Sequence, residues 1–261
     1  MADEQTPGCA LVHRFIDDDH EAIIARVDVS EMAAAFAAHA KLWRVEPDPL
    51  GELMMRQFLG AASLYLSSRP TDEVVAWTLN VATPPMNLFV TGDTVERRVT
   101  GRVFTDGVRA GETSRLFVDT RRSQGQDRRS VIEVEGLDVL LVFEQFADRS
   151  DQALQRFFEL DEHTYLMVAS LPTDARDWIQ ALDVDEARRA LEAARPLDDR
   201  AFWFQCGCTK ERIVEVVAGA WSDRPEELFR GEDKVVVTCP RCGRRWPVTP
   251  RDLDPENDDA R

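Results

Sequence analysis

The clearest hydrophobic pattern in the chain runs through residues 47–65. Apolar side chains recur there every three to four positions after two prolines, which is typical of a helix with one buried face. The stripe consists of Leu50, Leu53, Met54, Phe58, Ala61, Leu64 and Tyr65. A shorter helix is predicted to end near Leu42, and Asp28 with Glu31 has the spacing of a capping box at its start.

The period changes to two after residue 70. Residues 75–81 alternate between large apolar side chains and smaller or polar ones, which predicts a strand with one well-buried face. Further strands are predicted within residues 10–25 and at residues 87–91, 98–105, 114–120, 130–134 and 164–169. Residues 137–158 return to a helical pattern. Because short strands separated by glycine turns are typical of antiparallel sheets, the core is predicted to be α+β.

Residues 171–201 connect this core to a cysteine-rich end. Asp183 and Glu186 have capping-box spacing, but the apolar stripe that follows them is thin and alanine-rich and stops before Pro196. A helix that buries so little lies near the stability threshold. The segment is therefore either a plain connector or an element that unfolds readily.

Four of the five cysteines lie in one C-terminal stretch, as Cys206-Gly-Cys208 and Cys239-Pro-Arg-Cys242-Gly. In the second pair, proline and arginine turn the chain so that both sulfurs face one point, and Gly243 permits the positive φ that ends this knuckle. Four thiolates fill the tetrahedral coordination of a structural zinc ion and leave no position for a substrate. The spacing therefore predicts a zinc site formed by these four cysteines.

The same thiolates allow a second chemistry, because each pair could close as a disulfide within its own short segment. Such short rings are strained and readily reduced. Oxidation would remove the metal ligands, and a site that gains on the order of 10 kcal/mol from its metal would then unfold. A permanently metallated ribbon and a redox switch both fit the spacing. Nearby cations are predicted to offset the thiolate charge: Lys210, Arg212, Arg241, Arg244 and Arg245.

The chain of 261 residues is 44% hydrophobic and 31% charged, which is typical of a globular protein. Its formal net charge of -16 argues against a nucleic-acid-binding zinc ribbon, since affinity for nucleic acid comes mainly from cations that meet phosphates. The same charge suits a protein that stays in solution while exposing apolar surface. No apolar run is long enough for a transmembrane helix, and residues 1–9 lack a signal-peptide pattern. A cytoplasmic protein without a membrane partner is expected.

An enzymatic interpretation finds little support in the sequence. Cys239 and Cys242 could serve a thiol–disulfide enzyme, but such a pair usually starts a helix in a βαβ setting, whereas this pair follows a predicted strand. The histidines lack metal spacing among themselves; they are His13, His20, His39 and His163. No nucleophilic triad, phosphate loop or paired-carboxylate motif stands out, so no catalytic residue is assigned. His39 is expected in the core, and Cys9 is expected to be a free thiol.

Two stretches around the cysteines resemble the C-terminal redox-switch domain of the heat shock protein 33 family of bacterial chaperones. They are Phe204-Gln-Cys206-Gly-Cys208-Thr-Lys-Glu-Arg212 and Val235-Val-Val-Thr-Cys239-Pro-Arg-Cys242-Gly. The stretch Phe143-Glu-Gln-Phe146-Ala-Asp-Arg-Ser150-Asp-Gln152 is similar to the helix that follows the core sheet in that family. Thr83-Pro-Pro-Met86 departs from the family, which usually has a glycine-containing stretch there.

The resemblance implies a holdase that is inactive when reduced, with one Zn2+ per chain held by Cys206, Cys208, Cys239 and Cys242. Peroxide or hypochlorous acid, together with unfolding conditions, then forms two disulfides among these cysteines, releases the zinc and unfolds the switch and linker. The exposed surface binds unfolded or partly folded client proteins under oxidative stress, and activation is accompanied by a homodimer. The alternative is a relative whose static zinc ribbon acts as a constitutive protein-interaction module.

The sequence thus predicts an α+β fold in four parts. They are an antiparallel-sheet core with packed helices at residues 1–170, a metastable helical linker at 171–201, a small four-cysteine zinc domain at 202–251, and an acidic disordered tail at 252–261.

Overall fold

The computed structural model describes residues 8–109, 111–151, 153–171, 176–221 and 223–253. The chain forms two compact units, Met1–Gln205 and Cys206–Arg261. The predicted acidic tail lies outside the described residues except for Asp252 and Leu253, which end a short 3-10 turn, Pro250–Leu253. Among the helices that are described, none has the length and apolar content needed to cross a membrane.

One large sheet organises the first unit. Its described strands are β1 (Cys9–Asp17), β2 (Ala22–Asp28), β3 (Glu73–Val81), β4 (Met86–Asp93), β5 (Arg98–Phe104), β6 (Ser114–Arg122), β7 (Arg128–Val134), β8 (Gln155–Glu159), β9 (Thr164–Ser170) and β10 (Arg195–Phe204). The spatial order is β7-β6-β3-β4-β5-β10-β1-β2-β9-β8. Neighbours pair antiparallel except β5 and β10, whose short pairing is parallel. The predicted α+β fold with a large antiparallel sheet is confirmed.

Three helices cover one face of this sheet: α1 (Ser30–Trp43), α2 (Pro49–Ser67) and α3 (Val139–Phe146). The alternation of β3 places Trp77 against them, and its ring lies nearly perpendicular to that of Tyr65 on α2, with centroids 5.6 Å apart. Phe143 of α3 joins the group 5.7 Å from Trp77. Burial of one such side chain stabilises the fold by about 1.5–3 kcal/mol, so this aromatic group contributes strongly to the main core.

Two further helices, α4 (Arg176–Ala181) and α5 (Val184–Ala193), pack on the opposite face, against β1, β8 and β9. Strand alternation separates the two faces: Val27 of β2 joins the main core, whereas Ile24 joins a second apolar cluster. The buried members of this second cluster are Ala22, Ile24, Leu154, Phe158, Leu166, Val168, Ile179, Leu182 and Ala187. The segment predicted as a linker therefore covers apolar sheet surface with these two helices, here called the linker helices.

The two capping boxes predicted from the sequence have different outcomes. At α5 the box is confirmed, since Asp183 Oδ1 accepts Glu186 N at 2.8 Å and Glu186 Oε2 accepts Asp183 N at 3.1 Å. At α1 it is wrong: β2 continues through Asp28, whose Oδ1 accepts the N–H of Ser30 at 2.8 Å, and the helix starts after Val29 without a side-chain cap. Pairing of β2 with the sheet outweighs the capping preference of Asp28.

The helix predicted over residues 137–158 ends early. α3 stops at Phe146, a π-helical turn spans Ala147–Asp151, and the remaining aromatic residues form β8. Phe157 packs in the main core and Phe158 in the second cluster, so both faces of this strand are buried. A strand buried on both faces has no alternating pattern, which is why its aromatic run was interpreted as helical.

Residues 195–201, predicted as the end of the linker, belong to β10, in the middle of the sheet. Their charges are satisfied across the pairing with β1: Asp198 accepts a hydrogen bond from Arg14 Nη1 at 2.8 Å, and Asp199 Oδ1 lies 2.9 Å from Nδ1 of His13. Cross-strand charge pairs of this kind support a strand that its composition alone does not predict. Phe202 and Phe204 join the main core, so the second unit begins at Cys206 rather than at residue 202.

A buried ion group joins β3 to β6 and to the segment after α2. Glu73 is fully buried, and its carboxylate accepts hydrogen bonds from Nε of Arg69 at 2.8 Å and Nε of Arg122 at 2.7 Å. Burial alone would raise the pKa of Glu73, but the bonds and charges of the two arginines outweigh it, and the pKa is lowered.

Close packing requires a glycine at position 60 on α2. A Cβ there would lie 2.3 Å from Cδ2 of Tyr165, which is fully buried. We expect Gly60→Ala to lower the free energy of unfolding by about 1–3 kcal/mol, because overpacking outweighs the gain in helix propensity. Denaturant titration of the first unit measures this change.

The matched control for Gly60→Ala is Gly219→Ala, on α6 (Lys210–Trp221) of the second unit. An added Cβ at Gly219 meets nothing within 4 Å, so this substitution should stabilise its helix by about 0.5–1 kcal/mol. Stabilisation by both substitutions would contradict the close contact of Gly60 with Tyr165.

Candidate metal centre

A β-hairpin positions the second cysteine pair. β11 (Val235–Thr238) and β12 (Arg245–Val248) pair antiparallel, and Cys239 and Cys242 lie in the turn between them. Cys239 N donates to Arg244 O at 2.8 Å, and Gly243 N donates back to Cys239 O at 2.9 Å. Gly243 has φ of 81°, the positive value that the sequence predicted for the end of the knuckle.

The first cysteine pair lies between β10 and α6. Arg212 fixes this loop, because its Nη1 donates to Gly207 O at 2.8 Å and its backbone N–H donates to Thr209 Oγ1 at 3.3 Å. The apolar face of α6 packs on the hairpin in a third cluster, together with α7 (Pro225–Phe229). Its buried members are Ile213, Val214, Val217, Phe229, Cys239, Cys242, Val248 and Leu253. Two of the cysteines are thus part of the small core of this unit.

The four sulfur atoms converge on one point. Cys206 Sγ lies 3.9 Å from Cys239 Sγ, Cys208 Sγ lies 3.6 Å from Cys242 Sγ, and all four lie within 4.8 Å of one another. Four thiolates about 2.3 Å from a tetrahedral ion are about 3.8 Å apart, so this set has the dimensions of a metal site. In the part of the chain that the structure describes, no second group of His, Cys, Asp and Glu side chains is arranged to hold an ion.

Because the four sulfurs lie so close together, the four thiols differ in pKa. Contacts with the thiols of Cys206, Cys208 and Cys242 lower the pKa of Cys239. The pKa of Cys242 is raised, because its thiol proton is held by these same contacts with its neighbours. The pKa of Cys208 is also lowered, to about 7, by its contact with Cys206, whereas the pKa of Cys206 is raised by the same contact, so ionisation of two thiols opposes ionisation of the other two. A divalent cation relieves this repulsion, which is why four close cysteines can hold a metal ion.

One of the cations predicted to offset the thiolates has a different partner. Lys210 Nζ lies 2.8 Å from Asp252 Oδ1, and the other oxygen of Asp252 accepts the backbone N–H of Thr249 at 2.8 Å. These bonds tie the start of α6 to the 3-10 turn after β12. The nearest partner of the Lys210 ammonium is therefore a carboxylate that links two elements of the second unit.

The histidines lie away from the cysteines in sequence and have separate roles. His39 is buried on α1 with its ring 6.0 Å from that of Phe204, as expected of a core residue. His20 lies in the β1–β2 turn and stacks on Trp178 of α4, with ring centroids 3.9 Å apart. No motif in the sequence indicates this contact, because the two rings come from distant segments of the chain.

No family model and no curated protein matches the sequence. The structure, in contrast, is similar to the crystal structure of the 33 kDa chaperonin (heat shock protein 33 homolog) from Thermotoga maritima, with a TM-score of 0.68 over 93% of this chain and 96% of that chain. The chain has the heat shock protein 33 fold. Only 12% of the residues are identical, so the likeness lies in the backbone and in the order of the elements. The heat shock protein 33 fold here carries four cysteines that can hold a metal ion.

Proposed function

We propose that the protein is a redox-regulated holdase, a chaperone that binds unfolding proteins after its metal-binding cysteines are oxidised. The observation that carries the proposal is the tetrahedral spacing of four sulfurs on a chain with the heat shock protein 33 fold. Unfolded or partly folded polypeptides are the partners, and the protein acts without catalysing a reaction on them.

The cysteine chemistry supplies the switch. In the reduced protein, Cys206, Cys208, Cys239 and Cys242 would hold one Zn2+, which cross-links the loop before α6 to the hairpin. Each hypochlorous acid molecule takes two electrons from one pair of thiolates; the two sulfurs bond, and chloride and hydroxide leave. Two such steps consume all four ligands. Because reduced thiols are the resting state, we place the protein in the cytoplasm.

Loss of the metal would unfold the second unit, since its own core is small. The part of this unit that is described buries few side chains, and two of them are the cysteines Cys239 and Cys242. A structural metal site contributes on the order of 10 kcal/mol to folding, more than a core of this size supplies. The two disulfides would hold the unit in a form that cannot rebind metal until it is reduced.

The linker helices supply the surface that becomes available. The residues that they bury fully are few, Ile179 and Ala187 with Leu182 in the turn between the helices, and Trp178, Ala190 and Leu191 are only partly buried, so their attachment is weak. Their release uncovers Ile24 and Phe158 together with β9. An apolar sheet surface of this kind binds exposed hydrophobic segments of other chains. The net charge of -16 keeps the open protein in solution, and we expect it to associate as a homodimer when this surface is uncovered.

The proposal predicts that zinc release and client protection occur together. We expect hypochlorous acid, or peroxide at raised temperature, to release about one zinc per chain to a colorimetric chelator. Light scattering from a heat-denatured client, recorded on the same sample, should fall only after oxidation. Cys9→Ser is the matched control, because Cys9 is a free thiol of the first unit and the variant should behave like the wild type.

If zinc stays bound in oxidant while the client aggregates, the ribbon is a static structural element. The chain would then be a constitutive interaction module with the same fold. Dithiothreitol added after oxidation provides a second check, because it should restore both zinc binding and the inactive state.

A further inference from the structure

The β1–β2 turn carries an acidic run that the redox chemistry does not use. Asp17 is buried, and its Oδ1 accepts the backbone N–H groups of Asp19 and His20, both at 3.1 Å. Its Oδ2 lies 2.9 Å from Nδ1 of His20. One carboxylate thus fixes both the backbone and the ring of His20.

His20 presents the face of its ring to the first linker helix. Its imidazole and the indole of Trp178 on α4 are 3.9 Å apart between centroids, with planes inclined by 4°. Trp178 is packed against the second apolar cluster next to Ile179, which is fully buried. Because aromatic contacts contribute beyond the area they bury, the stack attaches α4 at the position where it enters the cluster.

The same turn also contacts the chain before α4 and after α5. Leu171 N donates to Glu21 O at 3.0 Å. Asp18 accepts two hydrogen bonds from the guanidinium of Arg195, at 3.2 and 3.3 Å, at the start of β10. One four-residue turn therefore contacts the linker at its beginning, on its first helix and at its end.

We propose that the β1–β2 turn is a clamp that holds the linker helices on the sheet and sets how readily they leave, independently of the four cysteines. The clamp consists of Asp17, Asp18 and His20 on the turn, with Trp178 and Arg195 as the residues it holds. The effect of the clamp on client binding rests on the proposed function, whereas the contacts that form the clamp lie entirely in the first unit. Oxidation would then be only one of two conditions for opening, and the turn contacts would have to break separately.

The two arms of the clamp differ in strength. Side chains of Asp18 and Arg195 are 63% and 61% exposed, and exposed ion pairs contribute little. The carboxylate of Asp17 is largely buried, with 11% of its side chain exposed, so the His20 ring is held firmly against Trp178. The stack is therefore the principal arm, and substitutions should show this order.

The test is hydrogen exchange of the α4 and α5 amides in the full-length, reduced, zinc-loaded protein. We expect His20→Ala to speed exchange in both helices about tenfold, and Asp18→Ala about twofold, because local opening determines exchange in weakly attached elements. Zinc content and the exchange of α6 should not change. His20→Phe keeps a stacking ring without the bond to Asp17 and should recover most of the protection.

His13→Ala is the matched control for His20→Ala. Both histidines lie 2.9 Å from an aspartate and are similarly exposed, 44% for His13 and 43% for His20, but His13 pairs with Asp199 on β10 and not with a linker helix. Equal linker exchange in the two alanine variants would overturn the clamp, as would failure of His20→Phe to restore protection.

Client protection distinguishes the clamp from the holdase function. Faster linker exchange in His20→Ala, without suppression of client aggregation by any oxidised form, would support the clamp and remove the holdase function. Unchanged exchange, with protection of the client by the oxidised wild type, would remove the clamp and leave the function standing.

Discussion

Cys239→Ser is expected to abolish zinc binding and to unfold the second unit in reducing buffer. Cys239 is 2% exposed, lies in the third core cluster and has its sulfur 3.9 Å from that of Cys206, so serine removes one of the four clustered sulfurs and places a hydroxyl group in the core. Loss of a structural site removes on the order of 10 kcal/mol, which a unit of this size cannot replace. Chelator-accessible zinc per chain and the fluorescence of Trp221 and Trp246 measure the two effects.

Cys9→Ser separates the effect of losing one of the four clustered cysteines from the general effect of removing a thiol. Cys9 lies on β1, and its pKa is raised by burial and by the charge of Glu31. Its replacement should leave both zinc content and tryptophan fluorescence unchanged. Full zinc content in Cys239→Ser, measured beside this control, would refute the four-cysteine assignment.

Glu73→Ala has the second large expected effect, a loss of about 3–5 kcal/mol in the free energy of unfolding of the first unit. The substitution leaves Arg69 and Arg122 without the buried carboxylate that both contact. Urea titration measures the loss. The matched control is Glu133→Ala on β7, whose ion pair with Arg115 is exposed and should cost less than about 1 kcal/mol. Equal costs for the two substitutions would contradict the role of the buried ion group.

The lowered pKa of Glu73 gives its contribution a definite pH dependence. A carboxylate with a folded-state pKa below the unfolded value of about 4.3 stabilises the fold fully above that value. The stabilisation is lost as the pH falls through the lowered folded-state pKa. The wild type should therefore lose stability in this acid range more steeply than Glu73→Gln, and parallel curves would contradict the ionised state of Glu73.

The strands with one buried face could be predicted from the sequence, because apolar and polar residues alternate along them. β3 alternates along its whole length and was assigned from its own residues. β8 and β10 were missed for opposite reasons. β8 has two adjacent phenylalanines that face opposite sides of the sheet, and β10 is charged along its first half, so neither has period two. Their partners, which come from distant parts of the chain, decide their conformation.

The cysteine site was accessible to sequence reasoning because metal ligands have short spacings within each pair. The convergence of the two pairs was an inference from chemistry, and the structure places all four sulfurs within 4.8 Å. The β1–β2 clamp had no such signature. In the sequence its aspartates only interrupt the strand pattern, and the structure alone shows that Asp17 contacts His20, Asp18 contacts Arg195 and His20 stacks on Trp178.

The position of β10 in the sheet also governs the order in which a new chain can fold. This strand is the seam between β7-β6-β3-β4-β5 and β1-β2-β9-β8, and it pairs Cys9 with Trp203, near opposite ends of the first unit. During synthesis the edges of β5 and β1 remain unpaired until the ribosome has released residue 204. Contacts between residues so far apart in sequence also form slowly. The seam ends just before Cys206, so the nascent chain is most prone to aggregate immediately before the first of the four clustered cysteines emerges.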